Sequence, residues 1–271
     1  MKYKNLMDMH THTDNSPDAE HSAVLMCEKG FNAGLRAIAI TDHCECDAYL
    51  QHRYDISLRQ SVFESYKARA AFAGRMVVVL GVELGQPLHD LKTAEKIVSQ
   101  KFDFILVSQH SLTTKEDFYK LDYSLEQNNP HELLNRYFDE LLEIAKWGKF
   151  DSLAHLTYPI RYIKGTHGID IDLARYYDKI DEILKTLALN GKALEINTSG
   201  LRQQFGELMP TIDILKRFKA LGGEFITVGS DAHTADEVAA NITDGLAAAQ
   251  ESGFKYITLY KERTPIQISF T

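Results

Sequence analysis

His10 and His12 stand one residue apart in Asp8-Met9-His10-Thr11-His12. Alternate residues of an extended chain point to the same side, so both imidazoles can reach one cation. Asp231-Ala232-His233 repeats that spacing more than 200 residues later. Between the two pairs, short apolar runs are followed by Asp42 and His43, Glu83, His110, His155 and Glu195. Neutral imidazole and carboxylate form the donor set that suits zinc, manganese and iron. A carboxylate such as Glu83 can bridge two ions, which imidazole cannot. A lone histidine at a strand end is more often a hydrogen-bonded structural residue, and Asp or Gly there is ordinary turn chemistry. Chance would scatter such residues, whereas His10, His12, His43, His110, His155 and His233, with Glu83 and Asp231, all follow candidate strands.

A multinuclear site of this kind activates water at neutral pH and clamps the attacking and leaving oxygens of a displacement. That chemistry fits hydrolysis of a phosphate ester or of an amide. Arg161, in Tyr158-Pro159-Ile160-Arg161-Tyr162, and Arg202, in Ser199-Gly200-Leu201-Arg202, follow two adjacent candidate strands. Guanidinium forks match phosphate oxygens. Arginines in polar loops are commonly just solvated, but beside a metal rim this pair favours a phosphate.

The elements that would bring these residues together alternate in type. Apolar, β-branched runs at Asn5–Met9, Ala37–Thr41, Met76–Val82, Phe104–Ser108, Ser152–Ala154, Ala193–Ile196 and Glu224–Val228 read as buried parallel strands. Helical patterns lie between them near Glu20–Ala33, Leu58–Ala73, Leu91–Gln100, Glu132–Trp147, Leu173–Asn190 and Ile212–Leu221. Thr234 to Glu237 reads as a capping box opening a further helix. Tyr256–Tyr260 and Ile266–Phe270 read as a closing strand pair. Seven strand-plus-helix units predict an α/β fold, a distorted (β/α)7 TIM-like barrel, with an open doubly wound sheet as the rival. In a parallel barrel the C-terminal strand ends share one rim, where active sites lie. The longest irregular connections, Cys44–Ser57, Ser111–Pro130 and Tyr158–Ile171, are candidate binding loops.

Nothing divides the chain, so residues 1–271 are expected to form one domain. The net charge of -8 argues against wrapping a nucleic-acid backbone. No apolar run approaches the ~20 residues of a membrane span, and no secretory signal is visible. Cys27, Cys44 and Cys46 cannot form a disulfide framework, so a cytoplasmic, reduced protein is expected. His21, His52, His89, His131 and His167 fall on helices or loops and read as surface or supporting residues, while Met7 and Met9 read as core. The glycines of Asn197-Thr198-Ser199-Gly200 and Gly222-Gly223 lack nucleotide-loop spacing.

In order along the chain, H-T-H-T at His10, T-D-H at Thr41, G-V-E at Gly81, S-Q-H at Ser108, A-H at Ala154 and G-S-D-A-H at Gly229 resemble the polymerase-and-histidinol-phosphatase (PHP) family. Leu194 to Arg202 and the total length resemble its histidinol-phosphatase branch. The resemblance implies a distorted seven-stranded barrel and three divalent metal ions (Zn, Mn or Fe). By motif, the first ion would have His10, His12, Glu83 and Asp231. The second would share Glu83 and add His110 and His155. The third would take His43, His233 and Asp18, which stands where many relatives carry a histidine. The same resemblance implies that Arg161 and Arg202 neutralise phosphate charge, and that Asp231 or His233 passes a proton to the departing alkoxide. The reaction would be the phosphate-removing step toward histidine, acting on a small phosphorylated substrate with neither nucleic acid nor membrane as partner.

Other readings stay open at this point. A PHP phosphoesterase could act on a nucleotide or sugar phosphate. A metal-dependent amidohydrolase also uses H-x-H after a first strand, but no suitable strand-end lysine appears. A proofreading module would ask for a basic groove and a second domain. A metal-stabilised binding module would more typically be Cys-rich.

Overall fold

The structure, a computed structural model, describes residues 2–271. Strands β1 (Met7–Thr11), β2 (Ala37–Ile40), β3 (His43–Glu45), β4 (Val77–Gly85), β5 (Phe104–Ser108), β6 (Ser152–Leu153), β7 (Ala193–Asn197) and β8 (Ile226–Gly229) form one parallel sheet. The order is β1-β2-β4-β5-β6-β7-β8, and β3 also pairs with β4. β2 and β3 are therefore one stave interrupted at Thr41 and Asp42, which leaves seven staves.

The sheet curls until β8 meets β1 at the end where the strands finish. Asp231 N–H donates to the His10 carbonyl at 2.8 Å, and His12 N–H donates to the Ala232 carbonyl at 2.9 Å. Asp8 reinforces the seam by accepting from Ser230 N–H at 2.8 Å, Ser230 Oγ at 2.5 Å and Ala239 N–H at 2.9 Å. This is the nearly closed, distorted (β/α)7 barrel expected from the alternation of strand and helix patterns.

Helices α1 (Ala23–Asn32), α2 (Tyr54–Ala71), α3 (Leu91–Val98), α4 (Pro130–Trp147), α5 (Tyr158–Ile160), α6 (Tyr177–Leu189), α7 (Ile212–Ala220) and α8 (Ile242–Glu251) connect the staves. Helix α4 shows how local signals set the bounds. The Asn129 side chain accepts from His131 and Glu132 N–H, Pro130 occupies the first turn, and Gly148 ends the helix in the left-handed region at φ 64°. Its Leu133, Leu134, Tyr137, Phe138, Leu141 and Ile144 face the barrel and are buried.

Several expected bounds shift. β1 starts at Met7 because Asn5 is left-handed at φ 55°, so His10 lies inside the strand. β4 runs past Glu83 to Gly85 because β3 pairs alongside it, His43 opposite Glu83. The Cys44–Ser57 and Tyr158–Ile171 connections are not irregular throughout. The first holds the last two residues of β3 and the start of α2, and the second holds α5 and a π-helical run, Arg161–Thr166. The capping box of Thr234 and Glu237 is present, but it closes a 3-10 turn, and α8 starts only at Ile242. Ala239 and Asn241 intervene at φ 64° and 58°.

Strands β9 (Tyr256–Lys261) and β10 (Thr264–Ser269) form an antiparallel hairpin beneath the barrel. Its turn is fixed to the strand-start end, with Arg263 N–H donating to the Asp103 carbonyl at 2.9 Å. Among the described residues, no helix is long and apolar enough to cross a membrane.

Candidate metal centre

Each stave delivers its polar side chain to one cup. β1 supplies His10, with His12 directly after it, the β2/β3 stave His43 and Glu45, β4 Glu83, β7 Glu195, and the segments after β5, β6 and β8 His110, His155, Asp231 and His233. Glu83 sits at the centre, fully buried. Its Oε2 lies 3.4 Å from His10 Nε2, 3.6 Å from His12 Nε2 and 2.9 Å from His43 Nδ1. Its Oε1 lies 3.2 Å from His110 Nε2 and 3.0 Å from His155 Nε2. Asp231 Oδ1 is 3.6 Å from His10 Nε2 and 3.3 Å from His12 Nε2. Asp18 Oδ2 is 3.6 Å from His43 Nε2 and 3.4 Å from His233 Nε2. The nine expected ligands thus come together in three overlapping groups, around the two oxygens of Glu83 and around Asp18.

The backbone is shaped for this crowding. A Cβ on Gly229 would lie 2.4 Å from His10 Cβ and 2.6 Å from Glu195 Oε1, so only glycine lets those side chains pass. Asp231 holds a left-handed φ of 55°, uncommon for a residue with a side chain and the sort of local strain that gathers at functional sites.

Carboxylates behind the rings fix their orientation. His10 Nδ1 meets Glu195 Oε1 at 2.7 Å, which leaves Nε2 facing the cup. Glu195 Oε2 accepts from His155 N–H at 2.8 Å. Asp42 is a different case. It accepts from Thr13 N–H and Oγ1, Ser16 Oγ and Ser61 Oγ, at 2.5 to 2.8 Å, and so holds the loop after β1 instead of facing the rings. Glu45 carried no sequence signal, since it follows an interruption in its stave. It nevertheless reaches His110 Nδ1 at 3.1 Å.

Burial opposes charge on Glu83 and Asp231. The rings of His43, His10 and His110 around Glu83, and of His10 and His12 with His233 around Asp231, hold both carboxyls well below the carboxylate range. Burial also opposes charge on His10, His43 and His110, yet Glu195, Asp231, Glu83, Asp18 and Glu45 beside them raise all three. His12 behaves oppositely, because burial, with His233 and His43 beside it, lowers it to about 3.

The residues fit a metal cofactor. His10 Nε2, His12 Nε2, His43 Nδ1 and Glu83 Oε2 are buried and have no hydrogen-bond partner, a costly state for polar atoms unless something else engages them. Their donor atoms fall within ligating distance of one another in three sets: His12, His43 and His233; His10, His12 and Glu83; and His43, Glu83 and His110.

Arg161 and Arg202 flank the cup. Arg161 Nη1 lies 3.7 Å from Asp231 Oδ2 and donates to Ser199 Oγ at 3.3 Å, while Nη2 donates to Tyr162 OH at 2.5 Å. Arg202 Nη2 donates to the Ser230 carbonyl at 2.9 Å. Arg161 Nε and Arg202 Nε and Nη1 are buried without a hydrogen bond, although Arg202 Nε lies 3.7 Å from Glu237 Oε1. Cys27, Cys44 and Cys46 are free and buried, away from any ligand role. His89 is a satisfied supporting residue, between Asp47 at 3.3 Å and Glu140 at 3.1 Å.

Comparison with known proteins agrees with this geometry. The PHP domain pattern matches residues 8–199. The chain is 30% identical over 263 residues to a probable histidinol-phosphatase of Clostridium acetobutylicum, covering 94% of this chain and 97% of that one. It is 28% identical to the histidinol-phosphatase of Lactococcus lactis, covering 94% of each chain. The crystal structure of histidinol phosphate phosphatase from Lactococcus lactis, complexed with Zn, L-histidinol and phosphate, superposes with a TM-score of 0.78 at 25% identity, covering 97% of this chain and 99% of that one.

Proposed function

The chain belongs to the PHP domain family, and from that premise we propose that it is a metal-dependent histidinol-phosphatase, hydrolysing L-histidinol phosphate to L-histidinol and phosphate. The observation that carries this reading is a juxtaposition. A cup of imidazole and carboxylate atoms without hydrogen bonds faces two arginines, each with at least one buried N–H that makes none. Cations on one side and guanidinium groups on the other are what a phosphate dianion needs. Homologues named for this activity, and a neighbour holding Zn, L-histidinol and phosphate, support it.

In this reading residues 1–271 act as one unit that holds three divalent ions, zinc, manganese or iron. His10, His12, Glu83 and Asp231 hold one, Glu83, His110 and His155 a second, and Asp18, His43 and His233 a third. When bound, such ions activate water near neutral pH and polarise the phosphoryl group. The chain's own groups do the rest. Glu195 holds His10 with Nε2 toward the cup. Arg161 and Arg202 bind and orient the phosphate oxygens from the side facing Asp231. Asp231 and His233 are the two candidates for passing a proton to the departing alkoxide, and Asp231, ionised and with Oδ2 accepting from Ser199 Oγ at 3.2 Å and Asn197 Nδ2 at 3.3 Å, would first have to take up a proton from water.

The test strips the protein with a chelator and measures phosphate release from L-histidinol phosphate and from a panel of nucleotide and sugar phosphates, with and without added manganese or zinc. Metal-restored turnover preferring L-histidinol phosphate is expected. Preference for another panel member would move the substrate, and no phosphatase activity with any metal would overturn the reading.

A further inference from the structure

Glu45 is a carboxylate of the cup that neither the strand-end pattern nor the family motifs reach. It ends β3, opposite Gly85 of β4. Oε1 accepts from His110 Nδ1 at 3.1 Å and lies 3.3 Å from His43 Nδ1, which forms no aligned hydrogen bond to it. With Nδ1 of His110 donating backward, Nε2 is left bare toward the cup, 3.2 Å from Glu83 Oε1 and 3.4 Å from His155 Nε2. A carboxylate behind an imidazole fixes both its tautomer and its ring orientation.

The neighbouring strand makes room for this arrangement. A Cβ on Gly85 would fall 1.8 Å from Glu45 Oε2 and 2.5 Å from its Cδ. Gly85 is not among the residues with positive φ, so its backbone does not demand glycine. The absent side chain is explained by the carboxylate occupying that space. Because the obstructed atoms are the far end of a flexible side chain, an alanine there would displace Glu45 and leave the sheet in place.

We propose that Glu45 is a positioning residue of the metal centre, holding His110 by Nδ1 so that Nε2 is offered to the ion shared with Glu83 and His155, and that Gly85 is the gap that admits it. The proposal rests on the ligand assignment above. Glu45 also sets its charge beside His43, so one carboxylate supports a ring from each of two ligand groups.

The experiment titrates metal-free protein with zinc by calorimetry, counts bound metal after dialysis, and records melting curves of the metal-free forms. Wild type, Glu45→Ala, Glu45→Gln, Gly85→Ala and the double variant Glu45→Ala/Gly85→Ala are compared. Loss of a supporting carboxylate of this kind weakens metal binding by roughly 10–100-fold, and that loss is expected for Glu45→Ala. Glu45→Gln keeps an acceptor oxygen for His110 Nδ1 and is expected to recover most of it. Gly85→Ala is expected to match Glu45→Ala, and the double variant to be no weaker than either, since both remove the same contact. Wild-type affinity in Glu45→Ala would overturn the proposal. Multiplying effects in the double variant would overturn the role given to Gly85. Should Gly85→Ala fail to fold, the two Glu45 variants decide the matter. A wild-type protein that takes up no zinc or manganese would instead sink the ligand assignment on which the proposal stands.

Discussion

Where the strands begin, Asp103 and Asp151 are buried and fully engaged by the chain. Asp103 accepts from Leu80 N–H at 3.1 Å and Glu262 N–H at 2.9 Å, and pairs with Arg69. Asp151 accepts from Ile105 N–H at 2.8 Å and Arg263 Nε at 2.5 Å. Where the strands finish, Glu83 and Asp231 are just as buried, but imidazoles surround Glu83, whose Oε2 has no hydrogen bond, and Asp231 turns Oδ1 to imidazoles while Oδ2 meets Asn197, Ser199 and Arg161. Burial alone therefore does not distinguish a structural carboxylate from a functional one. Satisfaction does: one end supplies its own cations and donors, and the other leaves atoms open for cations from outside. The division matches the general rule that a barrel's strand-end face carries function and its opposite face stability.

The largest effect that could break this contrast is expected from Glu83→Gln. An amide cannot bridge two cations, so phosphatase activity should fall about 1,000-fold or more, the scale of several kcal/mol of charge stabilisation. Chelation should lower the melting temperature of wild type but no longer that of the variant. Retained activity would mean that Glu83 is structural like Asp103.

Replacing either cup arginine should come next. Arg161→Met or Arg202→Met removes charge-assisted bonds to phosphate of about 1.5–3 kcal/mol, raising KM roughly 10–100-fold while bound metal, counted by elemental analysis, stays unchanged. Loss of metal instead would place these arginines among the groups holding the centre together.

Arg263→Met probes the opposite face. It leaves Asp151 with one fewer charged donor, so denaturant melts should show a loss of about 2 kcal/mol, with kcat and metal content intact. A change in kcat at unchanged stability would erase the distinction between the two ends.

The smallest effect is a pH signature. In the metal-free protein, His10, His43 and His110 are raised, so the stability they add is complete below their ordinary value of 6.5 and fades as pH rises through their folded values. Glu83 and Asp231 are depressed, so theirs is complete above the ordinary values of 4.5 and 3.8 and fades as pH falls through their folded values. Both contributions are complete between 4.5 and 6.5, and His12, lowered to about 3, sheds stability as pH falls below 6.5, so metal-free melting temperatures should peak toward the upper end of that range. Metal displaces the protons, so the optimum of the loaded protein should lie higher. An optimum unmoved by metal would deny the exchange.

Much of the cup was legible because it lies where apolar runs end. His10, His12, Glu83, His110, His155 and Asp231 are each placed by a strand whose signal is local. Asp42 was equally conspicuous, yet it binds the hydroxyls of Thr13, Ser16 and Ser61, and only tertiary contacts separate it from a ligand. Glu45 was silent for the converse reason. It belongs to a three-residue strand that exists only because β4 is long enough to pair with it.

The sequence by itself determined the alternation of strands and helices, and hence a parallel barrel with a chemically distinctive rim, because periodicity and residue type are written locally. It also determined the kinds of donor present and their order. Only the tertiary structure decided which carboxylates face rings and which face the chain, which ring nitrogen looks into the cup, and where the sheet closes. Those outcomes depend on contacts between residues as far apart as Asp8 and Ser230, and their geometry is fixed by packing across the barrel, to which local propensity is blind.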